Sequence, residues 1–174
     1  STLVVPTVST VRLTHHLEML VKHQHPVMFV GEGGTGKSTL MREFLRSSAE
    51  DMLSLVVNMN YFTDSAALQA QLEQQIDKRS GRNYGPPGNR RLLVLVDDLN
   101  MPFVEEYGTQ TPIALLRQAI DQKGWFDRSD LSLCKVVQDV QYAAAMNPKA
   151  GSFTVNSRLQ RHFVPFAVSM PNAD

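Results

Sequence analysis

Gly31-Glu32-Gly33-Gly34-Thr35-Gly36-Lys37-Ser38 fits the pattern G-x-x-x-x-G-K-[ST], which is that of a phosphate-binding P-loop. The apolar residues 27–30 before it predict a short buried strand, and residues 39–45 after it predict a helix. Glycines let the loop curl so that successive N–H groups face a phosphate, and the helix adds its positive dipole end. In this pattern Lys37 supplies charge to the outer phosphates and the Ser38 hydroxyl is placed to ligate Mg²⁺.

Composition places the chain among ordinary globular domains. It has 174 residues, 43% of them hydrophobic and 20% charged, and a formal net charge of zero, so we expect one domain with a sizeable core. The balanced charge disfavours nucleic acid, and the lack of a ~20-residue apolar run disfavours a membrane span. Cys134 is the lone cysteine, which excludes an internal disulfide and suits a reducing compartment. The chain begins with Ser1, and we expect it to be a piece of a longer protein.

Strand and helix patterns alternate along the chain, which predicts an α/β fold with a parallel sheet. The predicted strands are residues 27–30, 53–60, 92–96, 140–146 and 163–168, and the predicted helices are about 10–22, 39–48, 65–76 and 112–122. Residues 79–91 are rich in glycine, proline and arginine, so we predict a long loop there. Trp125 follows a helix-ending Gly124 and is expected to plug the core.

Asp97 and Asp98 directly follow the apolar run 92–96, which is a Walker B pattern. Ligands of doubly wound sheets lie outside the carboxyl ends of the strands, so this strand and strand 27–30 would end at the same place. Asp97 would hold Mg²⁺, mostly through water. The alternative is a helix cap or a turn after the strand, and the P-loop argues against it.

Asp98 stands where many ATPases of this type carry a glutamate that orients the attacking water. Aspartate is one methylene shorter, and a displacement of ~1 Å can lower a rate about 10²-fold. The residue therefore supports either slow hydrolysis or a site that chiefly holds nucleotide.

Other polar residues near predicted strand ends have two interpretations each. Asn147 reaches the γ-phosphate or its attacking water, or else forms an Asn-Pro turn, and the sequence alone does not separate these readings. For Asn60 the turn is favoured over a contact with Asp98. Arg158 and Arg161 share a helical face and suit charge donation in phosphoryl transfer, often in trans, but a solvated basic turn is favoured without further information.

Several runs resemble the AAA+ modules of dynein heavy chains, most closely the third module of the axonemal, outer-arm type. The resemblance covers essentially the whole chain, and it is carried by residues 5–7, 31–38, 81–88, 96–102, 106–110, 145–148, 151–154 and 157–163. The P-loop is shared by many ATPases, whereas residues 97–110 and 151–163 are far more specific.

This resemblance implies a regulatory nucleotide-binding module of a motor ring. Dynein heavy chains are ATP-driven microtubule motors with six AAA+ modules, of which the third binds nucleotide and regulates the ring. The implied fold is a single P-loop core over residues 1–174, with a five-stranded parallel sheet of order 5-1-4-3-2. The implied cofactors are ATP or ADP with Mg²⁺. The implied partners are the adjacent modules of the same heavy chain and, through the rest of the motor, the microtubule. The implied location is the axoneme of a cilium or flagellum. A helical lid normally follows such a core, and we expect it to be absent here, which would leave the isolated core a weak binder.

The resemblance also assigns site residues. Nucleotide would be bound by Val5, Pro6, Gly31, Gly33, Gly34, Thr35, Gly36, Lys37, Ser38 and Thr39, with Val5 and Pro6 at the adenine. Ser38 and Asp97 would hold Mg²⁺. Asp98 would position water, Asn147 matches the sensor-one position, and Arg161, with Arg158 as fallback, matches the arginine finger that serves a neighbouring module. The rivals are a module that holds nucleotide only as a structural ligand, and a free-standing P-loop kinase or helicase, for which neither an acceptor pocket nor a basic track is evident.

Overall fold

The structure, a computed structural model, describes residues 7–48, 52–151 and 155–170. In chain order its elements are α1 (Val8–Lys22), β1 (Val27–Val30), α2 (Lys37–Ser47), β2 (Met52–Asn58), α3 (Ser65–Glu73), β3 (Asp77–Ser80), β4 (Asn83–Gly85), a short 3-10 helix (Pro87–Asn89), β5 (Arg91–Asp97), α4 (Thr111–Asp121), β6 (Gly124–Phe126), β7 (Cys134–Val137), β8 (Val140–Met146), α5 (Ser157–Gln160) and β9 (Val164–Ala167). None of the helices in these described ranges is long and apolar enough to cross a bilayer.

The main sheet has five parallel strands in the order β2-β5-β8-β1-β9. Numbered by their sequence within this sheet and read from the β9 edge, they give 5-1-4-3-2, so the predicted strand order is confirmed. The register pairs Val30 with Met146 and Asn58 with Asp97, which brings the carboxyl ends of the strands to one edge. The predicted α/β fold with flanking helices is likewise confirmed.

Helices cover both faces of this sheet, which explains why β5 is apolar at consecutive positions. On one face Val94 and Val96 pack in a core with residues of α3 and α4, and on the other Leu93 and Leu95 pack with residues of α1 and α2. Alternate residues of a strand point to opposite faces, so a strand covered on both sides has no polar face to show.

A second, four-stranded sheet was missed by the sequence analysis. Its order is β3-β4-β7-β6, with β4 parallel to β7 and the other two pairs antiparallel. The long loop predicted over residues 79–91 is therefore wrong, because β4 lies within it. The hydrogen bonds come from far along the chain: the N–H of Val136 donates to Arg82 O and that of Gln138 to Tyr84 O, each at 2.9 Å.

Trp125 on β6 is 1% exposed, so its predicted core position is confirmed. Its indole Nε1 donates to Glu73 on α3 at 2.9 Å, and Lys135 on β7 reaches Glu73 at 3.0 Å and Asp127 at 2.6 Å. Burial raises the pKa of Glu73, but hydrogen bonds from Gln69, Trp125 and Lys135 outweigh it and leave the pKa lowered. The hydrogen bond from Lys135 also holds the pKa of Asp127 well below its usual range. This cluster ties the small sheet to the helical face of the large one.

The carboxyl end of α1 closes in a Schellman motif. The N–H of His25 donates to Leu20 O at 2.9 Å and that of Gln24 to Val21 O at 3.1 Å. Gln24 has φ +59°, the left-handed conformation that this motif normally gives to glycine.

Candidate functional site

The glycine-rich loop joins β1 to α2 at the carboxyl edge of the main sheet. Gly34 and Gly36 have φ of +81° and +83°, values that a side chain would strain. Gly36 directly precedes α2 and has no side chain with which to cap it. The first-turn N–H groups of α2 therefore remain available to an anion, which is the arrangement that phosphate-binding loops use.

Gly31 lacks a side chain for a different reason. A Cβ built on it would lie 2.2 Å from the carbonyl oxygen of Val168, just after β9. The same neighbour donates its N–H to Val30 O at 2.8 Å. The first glycine of the loop is therefore required by the packing of β9 against β1, whatever the loop binds.

Lys37, the first residue of α2, is 9% exposed and folds back over the loop. Its Nζ donates to Gly31 O at 2.8 Å, Glu32 O at 2.7 Å and Thr35 Oγ1 at 3.2 Å. Burial lowers the pKa of Lys37, while the charges of Asp97 and Asp98 act in the opposite direction. The ammonium group therefore shares one electrostatic environment with the two acids that follow β5.

Asp97 ends β5 and is 7% exposed. Its Oδ1 accepts the N–H of Asp98 at 3.1 Å, and its Oδ2 lies 3.7 Å from the guanidinium of Arg42. Arg42 also donates to Asn58 Oδ1 at 3.3 Å. Sequence reasoning missed Arg42, although its place on α2, four residues after Ser38, puts both on one helical face.

Ser38 is half-buried and Thr39 is exposed, both in the first turn of α2. Among the residues that the structure describes, no group of three or more His, Cys, Asp or Glu side chains is arranged to hold a metal ion. A hydroxyl and one carboxylate fit Mg²⁺, which keeps several waters and shares its sphere with phosphate oxygens.

Asp98 occupies a left-handed turn, with φ +54°. Partial burial and then the charge of Asp97 raise its pKa, and Lys37 lowers it to a smaller extent. Its side chain is exposed beside the buried Asp97. The geometry gives two adjacent carboxylates with different environments, one buried and hydrogen-bonded and one at the surface but partly desolvated.

Asn147 follows β8 and faces the glycine-rich loop. Its Oδ1 accepts the N–H of Lys149 at 3.0 Å, so the amide NH₂ must point the other way. A Cβ built on Gly33 would lie 3.8 Å from that Nδ2. The Asn-Pro turn and an approach to the phosphate loop therefore coexist in this residue. Lys149 additionally pairs with Glu32 across the loop, a contact that the sequence did not indicate.

Asn60 forms a turn, as the sequence favoured. Its Oδ1 accepts the N–H of Phe62 at 2.9 Å, and its own N–H donates to Thr63 Oγ1 at 3.0 Å.

Of the two arginines, Arg161 lines a pocket together with Val30 and Met146, the last residues of β1 and β8. Arg161 follows α5 and donates to Asp121 Oδ1 at 3.2 Å, while Arg158 on α5 is exposed. Three residues after Arg161, Val164 donates to Pro26 O, which places the start of β9 beside the start of β1. Within the described ranges, Arg161 hydrogen-bonds to Asp121 and His162. Val5 and Pro6 lie outside the described residues, so their contact with adenine stays a prediction.

The chain matches a known protein family over nearly its whole length. Residues 1–171 match the family described as the P-loop containing dynein motor region. The chain is 51% identical over 175 residues to the dynein beta chain, flagellar outer arm, of Chlamydomonas reinhardtii, and 52% identical over 171 residues to dynein axonemal heavy chain 9 of Homo sapiens. It is 48% identical over 170 residues to the dynein beta chain, ciliary, of Tripneustes gratilla. These alignments cover 98–100% of this chain but only 4% of each relative.

Proposed function

The chain belongs to the family of P-loop dynein motor regions, and from that premise we propose that it binds ATP or ADP with Mg²⁺ and turns ATP over slowly. Its nucleotide state would regulate a motor rather than supply the main stroke. We assign it to a ring of AAA+ modules in a heavy chain of the axonemal, outer-arm type, most similar to the third module.

One observation carries this proposal: a lysine and two acids meet beside a glycine-rich loop at the carboxyl edge of the sheet. Lys37 is electrostatically coupled to Asp97 and Asp98, and it already lies on the loop that would cradle phosphate. In the proposed site Lys37 neutralises the β- and γ-phosphates while Ser38 and Asp97 hold Mg²⁺. The bound metal supplies Lewis-acid neutralisation of charge on the phosphate oxygens.

Slow turnover follows from the side chain at position 98. Asp98 is proposed to position water, but it is one methylene shorter than glutamate, and positioning dominates phosphoryl transfer. Asn147, with its NH₂ turned to the loop, is proposed to contact the γ-phosphate.

The proposed partners belong to the longer protein. Arg161, or Arg158 in its place, would serve the nucleotide of an adjacent module of the same heavy chain. Its pairing with Asp121 is compatible with such a role, because the Arg161 side chain remains 63% exposed. Microtubule binding would reside in the rest of the motor, and the axoneme of a cilium or flagellum is the proposed location, since the names of the relatives are axonemal, ciliary and flagellar.

Photolabelling of the full heavy chain with an azido-ATP analogue tests the proposal. Labelled peptides from residues 27–48 should be found with the unmodified protein and lost with Lys37→Ala. Lys22→Ala removes an exposed lysine of α1 and serves as the matched control, with labelling expected to persist. Equal labelling of the Lys37→Ala and control proteins would overturn the proposed site.

The runner-up is a module that holds nucleotide permanently and never hydrolyses it. The exposed, short Asp98 favours this alternative. Single-turnover hydrolysis in a heavy chain whose other P-loop lysines are replaced separates the two readings. Slow product formation that is lost with Asp98→Asn supports the proposal. No product within the working cycle of the motor supports the structural role.

A further inference from the structure

Asn100 is a fully buried amide two residues beyond Asp98, with 0% exposure. Its Nδ2 donates to the carbonyl oxygen of Asn147 at 2.9 Å and also to that of Ala150. One amide group therefore spans both ends of the turn that follows β8.

That turn fixes the orientation of Asn147. The N–H of Ala150 donates to Asn147 O at 3.3 Å, so this carbonyl accepts from both Ala150 and Asn100. The side-chain Oδ1 accepts the N–H of Lys149, which leaves the NH₂ directed at Gly33. The backbone of Asn147 is thus held by Asn100 and its side chain by the turn itself.

The turns after β5 and β8 are also in close steric contact. Gly151 has φ +69°, and a Cβ built on it would lie 2.7 Å from Met101 Sδ and 3.0 Å from Asn100 O. The N–H of Leu99 continues the ladder by donating to Ala145 O at 3.0 Å. The two turns are therefore packed directly against each other.

We propose that Asn100 is a positioning residue that holds the Asn147 amide against the phosphate loop and so makes the site distinguish ATP from ADP. This inference rests on the proposed nucleotide-binding function. Bridging two carbonyl oxygens requires two N–H donors on one planar group, which asparagine has and aspartate, leucine or alanine lacks. Without this brace the Asn147 carbonyl loses a buried donor, and its side chain loses the fixed approach that a γ-phosphate contact needs.

Hydrogen exchange of the full heavy chain tests this role. Peptides covering residues 31–38 and 146–151 are followed with Mg²⁺ and either ADP or a non-hydrolysable ATP analogue. In the unmodified protein both peptides should be protected by the analogue. In Asn100→Ala the loop peptide should stay protected while residues 146–151 lose protection, and the preference for the analogue over ADP should fall about tenfold.

Gln69→Ala is the matched control, because Gln69 is also a buried amide that donates two hydrogen bonds, to Glu73 and to Phe126 O, far from the loop. It should leave the nucleotide preference unchanged. Asn147→Ala should lower the preference by a similar factor, and adding Asn100→Ala to it should cause no further loss.

If Asn100→Ala fails to fold, Gly151→Ala disturbs the same turn from its exposed end and should lower the preference too. Unchanged preference in Asn100→Ala or Gly151→Ala, with the loop still protected, overturns the inference alone. If nucleotide fails to protect the peptide of residues 31–38 in the unmodified protein, the proposed nucleotide site itself is contradicted.

Discussion

Replacing Gly31 with alanine should destabilise the chain more than any other glycine substitution in the P-loop. The added Cβ would lie 2.2 Å from Val168 O, whereas real Cβ contacts essentially never fall below 3.0 Å, so β1 and β9 must separate by about 0.8 Å. The atom that the Cβ would meet is a backbone oxygen, so no flexible side chain can move aside.

The expected loss in free energy of unfolding is about 3 kcal/mol. Overpacking of this kind costs about 1–3 kcal/mol. The bond from Val168 N–H to Val30 O, now 2.8 Å, would also stretch or break, for about 1 kcal/mol more. In a chain of 174 residues this corresponds to a drop in Tm of roughly 6–12 °C.

Urea unfolding of the chain measures this loss, and the same loop provides the controls. In Gly36→Ala the added Cβ would meet nothing within 4 Å, but the residue has φ +83°. This substitution should therefore lower the free energy of unfolding by about 1–2 kcal/mol. Gly33→Ala would place its Cβ 3.8 Å from Asn147 Nδ2, at a φ outside the left-handed region, and should change stability by no more than about 0.5 kcal/mol. If Gly31→Ala proves no worse than Gly33→Ala, the steric argument is refuted.

Three further predictions concern stability and its dependence on pH. Lys135→Met should cost about 2 kcal/mol at pH 7, because it leaves Glu73 and Asp127 without their buried cation. The pKa values of both carboxyl groups are lowered in the folded chain, so the stabilisation by Lys135 exists above about pH 4 and disappears as the pH falls through the folded values. The free energies of unfolding of the unmodified and Lys135→Met chains, measured by urea titration, should therefore converge at low pH. A difference between them that does not depend on pH would contradict this prediction. Gln24→Gly should stabilise by about 0.5–1 kcal/mol by relieving its left-handed φ in the Schellman motif, and a thermal melt that shows destabilisation would refute it. Asp98→Asn should stabilise the nucleotide-free chain at pH 7 by less than about 1 kcal/mol, because the raised pKa of Asp98 in the folded chain penalises its ionised form. This stabilisation should disappear near pH 3. A stabilisation that grows on acidification would contradict the raised pKa.

The main sheet was predictable because its strands carry local signals. β5 is an uninterrupted apolar run, and the P-loop requires a strand before it and a helix after it. The 5-1-4-3-2 order came from the family resemblance rather than from periodicity, and the observed pairing confirms it.

The small sheet was not predictable because its short strands obtain their partners from distant sequence. β4 is three residues long and pairs with β7, about 50 residues later, so glycine and proline around it gave the stronger local signal. The site shows the same division. The residue types of Lys37, Asp97 and Asn147 follow from motif and strand ends, whereas the contacts of Arg42, Lys149 and Asn100 depend on tertiary packing.

An experimental structure of the full heavy chain at saturating Mg²⁺ and ATP or ADP tests the central claim most directly. We predict nucleotide density against residues 31–38, with Lys37 Nζ moved from the carbonyls of Gly31 and Glu32 onto a phosphate. A metal ion should lie about 2.1 Å from Ser38 Oγ, with Asp97 directly or through water in its sphere. A saturated sample in which this loop holds no nucleotide, and Lys37 still rests on those two carbonyls, would contradict the account.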